Sequence, residues 1–173
     1  MKKLIFAVLS FFVLFTISAT AQERFGKTLN VGIGIGGYSG YYGYTNQSLP
    51  VFHLNYEFDV AKSFTVAPFI TFYTYKYNAY RETVIPIGAK GTFYFDQLLK
   101  ANQDWDFYLA GSLGFAIVKS SWDDNYYGNR NDYDKAPSMF FDVHAGVEYH
   151  LSKSVGLFLD FSGGVSTVGL AFH

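Results

Sequence analysis

Apolar and polar residues alternate with a period of two through most of the chain after residue 28. The clearest example is the run 51–59, in which four large apolar side chains alternate with His53, Asn55, Glu57 and Asp59. Alternation of this kind is typical of β-strands whose two faces meet different environments. Since no segment shows the apolar spacing of an amphipathic helix, the pattern predicts an all-β fold.

Eight such runs can be placed along the chain, and the third has apolar residues on both faces, so its phase stays open. Connections alternate between long segments rich in Tyr, Asn, Asp and Gly and short turns, with exceptions at 96–106 and 163–164. This arrangement predicts an eight-stranded antiparallel up-and-down transmembrane β-barrel. The predicted strands are 29–37, 51–59, 64–75, 82–95, 107–118, 138–150, 155–162 and 166–172.

Composition decides which face of the strands points outward. The chain of 173 residues is 50% hydrophobic and only 16% charged, whereas an ordinary soluble domain carries about 25% charged residues. A soluble barrel would need charged side chains on the outside of every strand, but many of the charges here lie in connections. The polar faces carry mostly small residues, which suit the narrow interior of an eight-stranded barrel. We therefore expect the apolar faces to contact lipid.

Aromatic residues make up 21% of the chain and collect near the predicted strand ends. Tyr and Trp rings gather at membrane–water interfaces, where they form girdles around transmembrane barrels. The predicted girdle residues are Tyr38, Tyr41, Tyr42, Tyr44, Tyr73, Tyr75, Tyr77, Tyr80 and Trp122 at one end, and Tyr94, Trp105 and Tyr149 at the other.

The N-terminus has the pattern of a secretory signal peptide. Lys2 and Lys3 precede an apolar run over 4–17, which is followed by the small-x-small sequence Ala19-Thr20-Ala21. The run is shorter than the about 20 residues that a spanning helix needs. We predict a signal peptide over 1–21 and a barrel domain over 22–173.

The charge balance and the absence of cysteine narrow the function further. The formal net charge is −1, which gives no electrostatic reason to expect nucleic acid as a partner. The chain contains no cysteine, so a disulfide framework, a thiol nucleophile and an acylated cysteine anchor are excluded.

Three segments carry a resemblance to a known family: the signal ending Ala19-Thr20-Ala21-Gln22, the strand 85–95 (IPIGAKGTFYF) and the closing segment 168–172 (VGLAF). Together they resemble the small outer-membrane β-barrel proteins of the OmpX/OmpW-like group. The resemblance implies export to the outer membrane of a Gram-negative cell, with both termini on the periplasmic side. It also implies insertion by the outer-membrane assembly machinery, which in that group reads an aromatic residue ending the last strand. Here that residue is Phe172, and His173 follows it.

Several ionisable residues fall on the predicted inward faces. Lys90 is the clear basic residue among them besides histidine, and buried charge persists only when it is paired. We therefore expect Lys90 to lie in the lumen against Glu57, Asp142 or Asp160, in a polar network that largely plugs the barrel. The predicted network is His53, Glu57, Lys90, Asp142, His144, Glu148 and Asp160, with Asp59 and His150 on the same faces.

A metal site is an alternative interpretation of one strand, which carries Asp142, His144, Glu148 and His150 on a single face. Residues two apart in a strand stand about 7 Å apart, so one strand alone brings too few ligands together. No metal and no cofactor are therefore expected.

Some eight-stranded outer-membrane barrels modify lipid A, and their deacylases carry a His-x-Ser pattern. That pattern is absent here, because Leu54 and Asn55 follow His53, and Ala145 and Gly146 follow His144. We predict a protein that is not an enzyme.

The connection 119–137 is the candidate surface-contact loop, since loops on a rigid scaffold often carry function and Tyr with Asn and Gly forms adaptable binding surfaces. A solvated loop without a partner is the alternative. The residues proposed for contact are Trp122, Tyr126, Tyr127, Arg130 and Tyr133.

The predicted function is that of a non-enzymatic, monomeric outer-membrane barrel with a structural or surface-interaction role. Its expected partners are outer-membrane lipid, the assembly machinery and an extracellular ligand or surface reached by the long loops. Two alternatives stay open: a narrow porin-like channel for small or apolar solutes, and a soluble secreted barrel that binds a small apolar ligand.

Overall fold

The computed structural model describes residues 26–37, 50–77, 80–99, 102–122 and 138–173. Within them the chain forms eight strands and one short helix, and this helix is not long and apolar enough to cross a membrane. The elements are β1 (Thr28–Gly36), β2 (Val51–Ala61), β3 (Phe64–Tyr77), β4 (Tyr80–Tyr94), α1 (Asp96–Leu99), β5 (Trp105–Trp122), β6 (Ser138–Ser152), β7 (Val155–Ser162) and β8 (Val165–Phe172).

The strands close into a barrel in which each one pairs with its neighbours in sequence. Every pairing is antiparallel, and β1 closes the sheet on β8 in a register that runs from Leu29↔Phe172 to Gly36↔Val165. A closed barrel leaves no unpaired strand edge. The prediction of an eight-stranded antiparallel up-and-down barrel is therefore confirmed.

The two ends of the barrel differ in their connections. The turn end holds the start of β1, the end of β8 and the connections 62–63, 95–104 and 153–154. The loop end holds the connections 37–50, 78–79, 123–137 and 163–164. One predicted connection was wrong in length, because β3 and β4 continue through most of the segment 76–81 and leave only two residues between them.

Large apolar side chains cover the outside of the barrel. Ile33 is 60% exposed, Phe141 is 70% exposed and Phe161 is 61% exposed. The third strand, whose phase the sequence left open, points Ile70 and Phe72 outward and places small and aromatic side chains inside. The outward faces predicted from the alternation are confirmed on the other strands.

The interior is layered along the barrel axis. Near the loop end, apolar inward side chains from five strands pack together, with Phe140 of β6 against them: Val51, Tyr73, Val84, Ala116, Val118 and Val165. The carboxylates of Glu82 and Asp142 are also buried toward this end. The expectation of a small and polar interior is wrong for this layer. The middle of the lumen and its turn end are more polar, with Lys90, Glu57 and Glu148 buried there.

Two of the predicted girdle aromatics point into the barrel instead. Tyr73 and Tyr94 are each 4% exposed, because they fall on the inward phase of β3 and β4. Trp105 and Tyr149 do lie on the outside at the turn end, with ring centroids 4.7 Å apart. The tyrosines of 38–44 lie outside the described residues, as do the side chains at 75, 77 and 80.

Candidate functional site

The middle of the lumen holds five connected side chains, which we call the central cluster: Lys90, Tyr108, Ser112, His144 and Asp160. Three of them contact the Asp160 carboxylate, and Ser112 is connected through His144. They come from the inward faces of β4, β5, β6 and β7, and all are buried. Lys90 Nζ lies 3.2 Å from Asp160 Oδ2, and the Tyr108 hydroxyl donates to the same oxygen at 3.0 Å. A charged group so far from water is stable only when it is paired in this way.

His144 occupies the other side of the same carboxylate. Its Nδ1 lies 2.7 Å from Asp160 Oδ1, and its Nε2 lies 2.9 Å from Ser112 Oγ. A serine, a histidine and an aspartate in this order have the connectivity of a nucleophilic triad. The difference is that Asp160 is here also neutralised by Lys90.

A second carboxylate, that of Glu57 on β2, is satisfied by neutral donors. Asn30 donates to Oε1 at 2.9 Å, while Thr65 and Tyr94 donate to Oε2 at 2.6 Å and 2.8 Å. The rings of Tyr94 and Tyr108 lie 5.6 Å apart and so connect this group to the central cluster. Both oxygens of this buried carboxylate thus accept hydrogen bonds, as buried polar groups require.

The two remaining predicted lumen residues of the middle and loop end border these groups: His53 lines a cavity together with Glu57 and Lys90, and Asp142 Oδ2 lies 4.0 Å from His144 Nε2. His53 Nε2 accepts from Asn55 at 3.1 Å, and its Nδ1 lies 2.9 Å from Thr71 Oγ1. Asp142 lies toward the loop end, where Oδ2 accepts from the Gly164 backbone at 3.1 Å. Asp59 is not a lumen residue, because β2 reaches the turn end there and leaves it exposed.

Four side chains at the turn end form what we call the rim cluster: Asp106, Glu148, His150 and His173. His173 Nε2 lies 2.8 Å from Glu148 Oε1, and His150 Nε2 lies 2.8 Å from Asp106 Oδ2. The two imidazole rings stand 4.9 Å apart. The hydrogen bond to Glu148 raises the pKa of His173 above its ordinary value, although partial burial acts in the opposite direction.

A small cavity separates the Glu57 donors from the central cluster. Its volume is about 10 Å³, and Glu57, Lys90, Tyr94 and Tyr108 are among the residues that line it. This is about enough for one water molecule. Ser112 is not among its lining residues and is 2% exposed. The Ser112 hydroxyl of the triad-like arrangement is therefore buried away from this cavity.

Sequence reasoning missed several of these groups. Ser112 lies within the predicted strand 107–118, but its contact with His144 depends on the cross-strand register of β5 and β6, which alternation along one strand does not contain. Asp106 was assigned to a connection, whereas β5 begins one residue before it. His173 follows the last strand and belongs to no alternating pattern. The pairing of β7 with both β6 and β8 brings it near β6.

The candidate surface-contact residues cannot be placed in the fold beyond their first member. Trp122 is the last residue of β5 and is partly buried. Tyr126, Tyr127, Arg130 and Tyr133 lie outside the described residues, as does the predicted signal peptide over 1–21.

No family model matches the chain, and no curated protein matches it. Among solved structures, it is similar to Neisserial surface protein A (NspA), with 18% identity, 84% of this chain and 94% of that chain covered, and a TM-score of 0.55. It is also similar to Ail, the attachment invasion locus protein of Yersinia pestis, with 11% identity, the same coverage of each chain and a TM-score of 0.52. The chain thus has the fold of the small eight-stranded outer-membrane barrels.

Replacing Lys90 by methionine should destabilise the barrel strongly. The substitution keeps most of the side-chain volume but leaves Asp160 as a buried carboxylate without its cation, and breaking such a pair costs about 3–5 kcal/mol. The loss is measured by urea unfolding of the refolded protein in lipid vesicles. Lys153→Met is the matched control, because Lys153 is exposed in the turn between β6 and β7. A Lys90→Met variant as stable as that control would contradict the assigned ion pair.

Ser112 should not react with a fluorophosphonate probe in the folded protein. The hydroxyl meets His144 in triad order, but the packed lumen gives the probe no path to it. Labelling is read by mass spectrometry, with a serine hydrolase in the same detergent as the positive control. Labelling of Ser112 that disappears in His144→Gln would reverse this conclusion and identify an activated nucleophile.

Proposed function

We propose that the protein is a non-enzymatic outer-membrane barrel of a Gram-negative cell, a plugged scaffold that presents its long connections at the loop end for surface contact. The observation that carries the proposal is the inverted distribution of polarity. Large apolar side chains cover the outside, while Lys90 and Asp160 form a buried ion pair in the interior.

The outer surface supports a lipid environment. Soluble monomers rarely expose contiguous apolar patches larger than a few hundred Å², whereas here large apolar side chains project from all eight strands. A closed barrel also pairs its backbone groups internally, as hydrocarbon requires. These two properties together favour insertion over a soluble state.

The similar proteins support a place at the cell surface at the level of fold analogy. One is named a surface protein and the other an attachment invasion locus protein. We place the turn end in the periplasm and the loop end outside the cell, after removal of a signal peptide over 1–21. Phe172, which is 40% exposed on the outer face of β8, is the aromatic residue for the assembly machinery.

The layered interior favours a plug over a channel. A solute on the barrel axis would have to pass the apolar layer near Val84 and Val118 and then the Lys90–Asp160 pair. The cavity between the polar groups holds about one water molecule. A soluble barrel for an apolar ligand is disfavoured for a related reason, since its apolar lining would have to face inward.

The contact surface itself is assigned to the connection 119–137, with Trp122, Tyr126, Tyr127, Arg130 and Tyr133 as its anchors, and the barrel is expected to act as a monomer. Loops that project from a rigid scaffold are common binding elements. The paired interior makes the barrel such a scaffold.

The reconstituted protein should give no steady single-channel current in a planar bilayer. The apolar layer and the central cluster close the lumen at two heights, so ions find no continuous water path. A general porin in the same bilayer is the positive control. Discrete current steps that increase in number with the amount of protein would support the channel alternative instead.

A charge placed on the outer face should cost stability according to its depth. Leu113 is 53% exposed near the middle of β5, and Leu151 is 58% exposed near the turn end of β6. Leu113→Arg should destabilise the barrel in vesicles by about 2–4 kcal/mol and Leu151→Arg by about 0–1 kcal/mol. Urea unfolding measures both. Equal and small effects at the two positions would indicate that the outer face meets water.

A further inference from the structure

Three side chains of the rim cluster are close enough to share one ion. The ligand atoms of Glu148, His150 and His173 all lie within 4.8 Å of one another. We propose that these residues form a binding site for a divalent transition metal of the zinc class at the turn end of the barrel.

The donor set suits such an ion. Two imidazoles and one carboxylate are the ligands of many zinc sites with an open position, and imidazole favours zinc, copper and nickel over magnesium and calcium. Asp106 Oδ2, 2.8 Å from His150 Nε2, adds a second carboxylate beside the site. Two carboxylates and two neutral imidazoles balance the charge of a divalent cation.

The geometry requires only a small adjustment. Tetrahedral zinc holds nitrogen and oxygen ligands at about 2.0–2.1 Å, so the ligand atoms lie roughly 3.4 Å apart. Contraction from the observed spacing needs side-chain movements of about 1 Å. The ion would take the place of the proton that now lies between His173 Nε2 and Glu148 Oε1.

The surroundings hold the ligands in place. Thr28 Oγ1 lies 3.0 Å from His173 Nδ1, and a partner on the second nitrogen orients a metal-binding histidine. The His173 backbone donates to Ser154 O at 3.1 Å, and the His150 backbone donates to Asp104 O at 2.8 Å. Both rings are thereby attached to ordered backbone.

Gly156 keeps the space that the carboxylate needs. It pairs with His150 across β6 and β7, and a Cβ atom at this position would collide with the carboxylate of Glu148. The absence of a side chain on β7 therefore lets Glu148 turn toward His173.

The site is open to water and joins two strands. The side chains of His150 and His173 are 25% and 19% exposed, so an ion can enter from the turn end. Glu148 and His150 belong to β6, and His173 extends from β8. A bound ion would fasten the end of the last strand to the barrel wall, and binding to the folded state alone stabilises it.

Zinc titration of untagged protein, refolded in detergent micelles, tests the proposal by isothermal titration calorimetry. We expect one Zn²⁺ per folded chain and at least tenfold weaker binding in His150→Gln and in His173→Gln. Asp59→Asn is the matched control, because it removes an exposed carboxylate at the turn end, on β2, which carries none of the three ligands, and it should bind as the wild type does. No binding by the wild type, or unchanged binding in both histidine variants, would overturn the site.

Wild-type protein alone gives a second measurement that does not depend on the variants folding. Zinc should protect His150 and His173 from diethyl pyrocarbonate, as read by mass spectrometry. The other two histidines of the sequence, His53 and His144, are internal controls whose modification should not change. Equal modification of His150 and His173 with and without zinc would contradict the proposed metal site. This result would be independent of the proposed function, because it does not depend on whether the barrel conducts ions.

Discussion

Closure of eight strands into a narrow barrel is the constraint on which the rest of this structure depends. The closed sheet satisfies the backbone without an edge, and it leaves a lumen so narrow that side chains fill it. Any ionisable residue on an inward face must then find its partner among the few groups across the lumen. Asp160 meets this condition with Lys90, Tyr108 and His144 from three other strands. The central cluster is thus a consequence of closure as much as of the residues themselves.

Alternation along the chain was sufficient to predict the number of strands, their order and the outward faces, because these depend on a period of two and on composition. It also placed Lys90, Glu57 and Asp160 on inward faces. Partners could not be predicted in the same way. Lys90 pairs with Asp160, whereas Glu57 accepts hydrogen bonds from three neutral donors. These pairings depend on how the strands are staggered around the barrel, and the sequence of a single strand does not contain that information.

Two predictions from the sequence were wrong for related physical reasons: the girdle position of some tyrosines and the polar interior near the loop end. Tyrosine near a strand end was assigned to a membrane girdle, but the amphipathic ring of Tyr94 serves equally well inside, where its hydroxyl reaches Glu57. The apolar layer near the loop end arose from residues such as Val84 and Val118, which are apolar on an inward phase. A tyrosine near a strand end is therefore expected at the membrane–water interface only where the alternation of that strand points the side chain outward.

The central and rim clusters both pair histidine with a carboxylate, but they differ in their access to water. In the central cluster, His144 lies between Ser112 and a carboxylate that already has its own cation, and packed protein surrounds it. The polar groups there pair with one another across four strands, which is the arrangement of a structural network. In the rim cluster, His173 and Glu148 hold one shared proton beside water. The histidine side chains of the rim cluster are partly exposed, and an exchangeable proton joins His173 to Glu148, so a metal ion can replace that proton. This difference in access to water distinguishes the rim cluster, as a binding site, from the structural network of the central cluster.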